Sequence, residues 1–251
     1  MGKIIAIGGK GGVGKTFVSA ILTKILRDRF DLLCIDADPS LGLTYALGVS
    51  PEKTIWDIRE ALKDNRGRKS LIGNDDIPLK EVIREQVVIK KQGFDFLVMG
   101  RSEGPGCFCS INELLRYAID SLAKEYQVVL VDCEAGLEQV NRRVLRNMDT
   151  LILISDPTIR GIQTVRYLGN IATELSVKSG LDMSLIFNMV DDIEKTKTLL
   201  RYVDIPVLGY IPSDPDVKEF DLTGRSLLDL PSSSPAHRAV YSCAKKVLLN
   251  N

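Results

Sequence analysis

The sequence predicts an α/β fold in which a mainly parallel sheet is flanked by helices on both faces, with residues 1–251 forming a single domain. Three observations lead there. Short apolar runs alternate with amphipathic helical patterns, and no linker-like stretch interrupts the series. The runs are near-continuous, as in Val128-Val129-Leu130-Val131, which suits strands covered by helices on both faces. A glycine-rich loop joins the first run to the first helical pattern. A chain of 251 residues with 45% hydrophobic content is long enough to bury one large core.

The first strand is expected over 3–8. It runs into Gly9-Lys10-Gly11-Gly12-Val13-Gly14-Lys15-Thr16, followed by an amphipathic stretch that carries Phe17 in its first turn. Glycines at 9, 11, 12 and 14 let the backbone turn tightly and aim successive N–H groups at an anion, and the helix behind adds its positive dipole end. The full G-x-x-x-x-G-K-T pattern in strand-loop-helix context is a phosphate-binding loop, so the fold is that of a P-loop NTPase and residues 9–17 bind a nucleoside triphosphate. Lys15 then reaches the β- and γ-phosphates, and the Thr16 hydroxyl ligates Mg²⁺. The cradle itself does not require Lys10, whose plain reading is a solvated lysine.

The second strand, 32–36, exits into Asp36-Ala37-Asp38-Pro39. Residues two apart on a strand exit point the same way, so both carboxylates face the phosphate end, although Asp-Pro is also an ordinary turn initiator. A further strand is expected over 94–99. The next, 128–132, has the Walker B form of four apolar residues ending in an acid, which makes Asp132 a Mg²⁺ holder. Cys133-Glu134-Ala135-Gly136 follows; Gly136 can free an N–H for a γ-phosphate, and Glu134 serves either as a relay or as a helix N-terminal acid. Strands over 151–155, 184–188 and 207–210 complete the sheet, with Asn188 and the Ile211-Pro212-Ser213-Asp214 segment at the ends of the last two. Met189 stands where a guanine-recognising Asn-Lys-x-Asp sequence would carry its lysine, so ATP is preferred to GTP. At the end of the chain Ala236, Ala239, Val240, Cys243, Ala244, Val247 and Leu248 form a small-residue stripe at helical spacing, read as a core-packing helix.

With 33 basic and 33 acidic side chains the formal charge is zero, and no basic block interleaved with aromatics points to nucleic acid. The tract 66–69 reads as part of a solvated loop. No leader-like amino terminus or long apolar run appears, which suits a cytoplasmic protein that is not membrane-bound.

Gly104-Pro105-Gly106-Cys107-Phe108-Cys109 serves no nucleotide chemistry. The pair lies just before a helix expected over 111–124, whose N-terminus favours thiolate. Two thiolates one residue apart chelate a soft or borderline metal without completing its shell, and a two-fold mate would supply the rest as an S₄ site. A redox-active pair and incidental surface thiols are the other readings. Cys34, Cys133 and Cys243 sit in apolar contexts and read as small core residues.

The loop with its extra lysine resembles the deviant Walker A motif of the nitrogenase iron protein, septum-site and partition ATPases. That resemblance implies a homodimer sandwiching two ATP molecules, with Lys10 reaching the partner's nucleotide. It further implies that Asp38 orients the attacking water, that Asp36 belongs to the Mg²⁺ shell, that Cys133 to Gly136 form a second switch, and that Asn188 and Pro212 lie against adenine. Together with Cys-x-Cys after Gly-Pro-Gly and with Glu134-Ala135-Gly136, the chain looks like the nickel-insertion accessory ATPases of carbon monoxide dehydrogenase and acetyl-CoA synthase, the CooC/AcsF type. This implies Ni²⁺, with Zn²⁺ as the alternative, held by Cys107 and Cys109 at the dimer interface, and a nickel enzyme as client. An iron–sulfur carrier or a partition-type positioning ATPase is the competing reading. Phe17 departs from the small hydroxyl residue this class often carries there.

Overall fold

Strand after strand, alternate side chains are apolar on both faces, and this dictates a sheet sandwiched between two helical layers. The structure, a computed structural model, describes residues 2–63, 77–100, 109–135, 147–176 and 180–248. The strands are β1 Lys3–Gly9, β2 Leu32–Ala37, β3 Ile89–Lys91, β4 Phe94–Val98, β5 Val128–Cys133, β6 Thr150–Ser155, β7 Asp182–Val190 and β8 Val207–Pro212. They form an 8-stranded sheet in the order β3-β4-β2-β5-β1-β6-β7-β8. All pairings are parallel except the antiparallel β3–β4 edge hairpin.

The helices are α1 Lys15–Leu26, α2 Gly42–Ala46, α3 Ile55–Leu62, α4 Leu79–Gln86, α5 Cys109–Leu122, α6 Ile159–Leu175, α7 Ile193–Lys197, α8 Pro215–Thr223 and α9 Pro235–Val247. Ile4 and Ala6 of β1 face the layer that holds Ile58, Leu115 and Val165. Ile5 and Ile7 face Val18, Ile21 and Val240 on the other side. Each fully buried Ile or Leu contributes about 1.5–3 kcal/mol through transfer from water, so the central strands carry much of the stability.

The one strand without a sequence signal is β3. Ile-Lys-Lys is short and charged, as sheet edges tend to be, and its register is set by the tight turn at Gly93 (φ 84°). Lys90 lies opposite Asp95 and pairs with it at 2.5 Å. At the other edge, the expected terminal helix is α9, whose Ala236, Val240, Cys243 and Ala244 are buried against β8 and α1. Cys34, Cys133 and Cys243 are all buried, as expected of core thiols. No helix among the described residues is long and apolar enough to cross a membrane.

Candidate nucleotide site

At the carboxyl ends of the central strands the sheet register sets Asp132 of β5 beside Ile7 of β1 and Asp36 of β2. The loop that follows β1 turns at Gly12 and Gly14 with φ of 77° and 86°, in the left-handed region open mainly to glycine. A Cβ on Gly14 would lie 2.2 Å from Asn188 Nδ2, and one on Gly9 would lie 2.3 Å from the Ile154 carbonyl. The loop is thus pressed against β6 and the end of β7. Asn188 Nδ2 donates to the Val13 carbonyl at 2.8 Å, so this side chain braces the loop from the end of β7.

Lys15 is buried, and its Nζ donates back to the Lys10 carbonyl at 3.2 Å. Lys10 extends the other way, half-exposed, with its Nζ 3.4 Å from Asp156 Oδ2 just beyond β6. Thr16 Oγ1 donates to Asp132 Oδ2 at 2.9 Å, and Ser19 Oγ, one turn further along α1, donates to Asp132 Oδ1 at 2.8 Å. Burial, reinforced by the nearby Asp36 charge, pushes Asp132 up to about 7 despite those two hydrogen bonds. Burial likewise pushes Asp36 up to about 6, against hydrogen bonds from Thr44 and the Asp38 N–H. A hydroxyl and a carboxylate converging beside a second carboxylate are hard oxygen donors, which suits Mg²⁺. The two anions crowded together in a buried place are also what a divalent cation would relieve.

Asp38 and the loop lysine line a cleft of about 740 Å³ that also includes Gly11, Gly12, Thr16, Phe17 and Ala135. The cleft continues past Asn188, Met189 and Pro212 to Val217, Phe220 and Arg225 of α8 and the turn after it. Its volume is large enough for a nucleotide, and Pro212 and Asn188 are among the residues that line it. Asp214 closes the α8 end: its carboxylate caps α8 through the Asp216 N–H and accepts from Ser234 Oγ at 2.6 Å and the Ala236 N–H at 3.0 Å. Burial opposes the charge, yet these hydrogen bonds hold the Asp214 carboxyl below its ordinary value.

The structure therefore brings Lys15, Thr16, Asp38, Asn188 and Pro212 together along one cleft, with Asp132 buried behind Thr16 and beside Asp36. Glu134 lies half-buried behind Cys133. Gly136, Cys107 and the Cys109 side chain lie outside the described residues, as does the tract 66–69; Cys109 itself opens α5. Burial raises the Cys133 thiol, and its Sγ faces the Val131 carbonyl, a setting for a neutral core thiol. Among the described residues no group of three or more His, Cys, Asp or Glu is placed to hold a metal ion. Sequence reasoning missed Ser19, Thr44 and the α8 wall. Ser19 is one helical turn from Thr16 and so shares its face, while Asp214-Pro215 is a recognisable cap followed by proline at the first helical position.

Residues 4–227 match the CobQ/CobB/MinD/ParA nucleotide binding domain family. The chain belongs to this family. Members of the MinD/ParA class are ATP-binding nucleotide hydrolases, and this chain is an ATPase of that class. It is 38% identical over 256 residues to the uncharacterized ATP-binding protein MJ0685 of Methanocaldococcus jannaschii, covering 98% of each chain. It is 31% identical over 245 residues to the carbon monoxide dehydrogenase accessory protein CooC of Rhodospirillum rubrum, covering 93% of this chain and 91% of that one. In fold it resembles the septum site-determining protein MinD of Pyrococcus horikoshii, complexed with Mg-ADP, with a TM-score of 0.73, 22% identity and coverage of 99% and 96%.

Proposed function

We propose that this ATPase is a nickel metallochaperone: a homodimer that binds Ni²⁺ through Cys107 and Cys109 of both copies and delivers it to carbon monoxide dehydrogenase or acetyl-CoA synthase. The observation that carries the reading is the Cys107-Phe108-Cys109 sequence in a chain that matches CooC at 31% identity over nearly its whole length. Zn²⁺ suits the same thiolates.

In the nucleotide cycle, Lys15 binds the β- and γ-phosphates, and the amides of the loop 9–16 orient them. Thr16 and Asp132 would hold Mg²⁺, with Asp36 beside them, and the cation would neutralise charge on the phosphate oxygens. Asp38 orients the water that attacks the γ-phosphorus, releasing ADP and phosphate. Lys10, already extended away from its own loop, reaches the nucleotide of the second copy, and Asn188 and Pro212 flank the base. Glu134 and Gly136 report loss of the γ-phosphate to the metal-binding segment.

A second reading is a nucleotide-switched positioning ATPase, which the likeness of fold to septum-site and partition proteins supports, or else an iron–sulfur carrier. Calorimetry with Ni²⁺ on the anaerobic reduced protein, with sizing in parallel and with and without Mg-ATP, tests the two. Close to one Ni²⁺ per dimer, lost with Cys107→Ala and Cys109→Ala, supports the metallochaperone. ATP-dependent dimerisation without nickel binding, or sulfide-bridged iron in the absorbance spectrum, favours the second.

A further inference from the structure

Asp36 is fully buried, and both of its oxygens are engaged by the chain that follows it. Oδ1 accepts the Asp38 N–H at 3.2 Å, while Oδ2 accepts the Thr44 N–H at 2.8 Å and the Thr44 hydroxyl at 2.6 Å. The carboxylate thus ties together the two ends of residues 38–44. Between them the chain is tightly wound: Asp38 Oδ1 accepts the Ser40 N–H at 2.8 Å, and the Asp38 carbonyl accepts the Leu41 N–H at 3.0 Å. Leu41 sits at φ 60°, ψ 32°, a left-handed conformation that a leucine adopts only where its surroundings hold it there. Next to it Gly42 approaches the phosphate loop so closely that a Cβ would lie 3.2 Å from Thr16 Oγ1. Thr44 itself is almost fully buried, and it touches neither the cleft nor the solvent.

We propose that Thr44 is a positioning residue for ATP hydrolysis: it locks the Asp36 carboxylate, and through Asp36 fixes the backbone of Asp38 so that the Asp38 side chain faces the phosphate end of the cleft. The proposal rests on Asp38 as the water-orienting group and assigns Asp36 an anchoring task alongside its place near the Mg²⁺ site. Asp36 receives two hydrogen bonds from Thr44, and removing the hydroxyl frees one carboxylate lone pair in a buried place that water does not reach. The ring of residues 38–44 then relaxes out of the left-handed turn at Leu41, and Asp38 loses its fixed direction. Nucleotide binding rests chiefly on the loop 9–16 and changes less than turnover, although Asp38 and Gly42 also line the cleft.

The test is steady-state ATP hydrolysis by the full-length protein carrying Thr44→Val, Thr44→Ser or Asp38→Asn, with Mg²⁺ titrated at saturating ATP and melting temperatures recorded. Thr44→Ala supplies the same measurement where valine is not accommodated. The expected result is a fall in kcat of about tenfold or more for Thr44→Val, with KM within about twofold of wild type, an unchanged Mg²⁺ half-saturation point, and kcat restored by Thr44→Ser. A merely structural threonine would lower the melting temperature without that division between kcat and KM. A kcat unchanged in Thr44→Val, or lost equally in Thr44→Ser, overturns the proposal, and so does a loss that appears chiefly as weaker Mg²⁺ dependence. Full turnover by Asp38→Asn instead removes the reading of Asp38 on which the proposal rests, so the two failures are distinguishable.

Discussion

At the phosphate end of the cleft, Asp36 and Asp132 are buried side by side on central strands, their oxygens hydrogen-bonded to Thr16, Ser19 and Thr44. At the base end the buried carboxylate is Asp214, and it ties together the N-termini of α8 and α9 beside the edge strand β8. The first end raises its carboxyl groups above their ordinary values; the second lowers its own. The difference lies first in depth: Asp36 and Asp132 are completely buried, and burial outweighs their hydrogen bonds, with a neighbouring carboxylate adding to the rise at each. Asp214 lies nearer the surface, where burial is outweighed by hydrogen bonds from Ser234 and from helix N–H groups. The phosphate end is built for a ligand and the base end for rigidity.

The largest way to break this comparison is at Lys10. Its Nζ leans on Asp156 rather than on its own loop, and the half-exposed side chain is available to a second copy. We expect Lys10→Ala to reduce ATP turnover by more than about a hundredfold while ATP binding by one chain stays near wild type, as for loss of an arginine-finger-like cation. Turnover and nucleotide binding measured on the same preparation check it; unchanged turnover would sink the role of Lys10 across the dimer.

Gly14→Ala comes next. The left-handed φ of 86° is strained for alanine, and the new methyl would fall 2.2 Å from Asn188 Nδ2, forcing apart the bond from Asn188 to the Val13 carbonyl. Strain of about 1–2 kcal/mol plus the lost brace predicts roughly tenfold or greater weakening of ATP binding. Calorimetric titration with a non-hydrolysed ATP analogue measures it, and wild-type affinity would show that the loop is not held from the end of β7.

The same contrast explains which parts were legible in the sequence. The loop 9–16 and Asp132 could be read because phosphate and cation chemistry demands particular residue types at fixed spacing on strand ends, whereas the roles expected of Asp36 and Asp38 came from the resemblance to a first switch. Lys15, Thr16 and Asp38 line one cleft, and Asp36 and Asp132 are buried side by side on β2 and β5. The strands beneath were legible from continuous apolar runs. What escaped was of three kinds. Ser19 and Thr44 act on carboxylates 113 and 8 residues away, and nothing local marks a serine or threonine as a distant partner. The base-side wall of Phe220, Arg225 and Val217 is shaped by packing of α8, for which many residue types serve. β3 is three residues long and mostly charged, so it carries no alternation to read.

At the base end, Asp214→Ala removes an N-cap of α8 together with the acceptor for Ser234 and Ala236. An N-cap is worth about 1 kcal/mol and a buried donor left unpaired costs about 1–3 kcal/mol, so a loss of roughly 2–3 kcal/mol in unfolding free energy is expected. Turnover at saturating ATP should change little. Urea unfolding paired with kinetics checks this, and a collapse of kcat with stability preserved would mean that the base end participates in the chemistry after all.

The smallest effect sharpens the comparison through pH. In the nucleotide-free protein Asp132 is pushed up to about 7, above the value near 4 of an unfolded aspartate, so between those values the folded chain binds more protons than the unfolded one. Stability from this group is therefore fully present below about pH 4 and is lost as pH rises through about 7. Asp132→Asn cannot ionise, so the variant should gain on wild type as pH rises from 5.5 to 8, by about 2 kcal/mol, and saturating Mg-ADP should erase the gain by stabilising the ionised wild-type carboxylate. Asp214 has the opposite sign: its stabilisation is present above the unfolded value and is lost only as pH falls through its lowered value, outside that window. His237, whose buried ring is lowered from its ordinary value, titrates alike in wild type and variant and cancels in the difference. Urea titrations at pH 5.5 and 8, with and without Mg-ADP, read the effect. Equal pH dependence in wild type and Asp132→Asn would place the strain of the paired carboxylates on Asp36 alone.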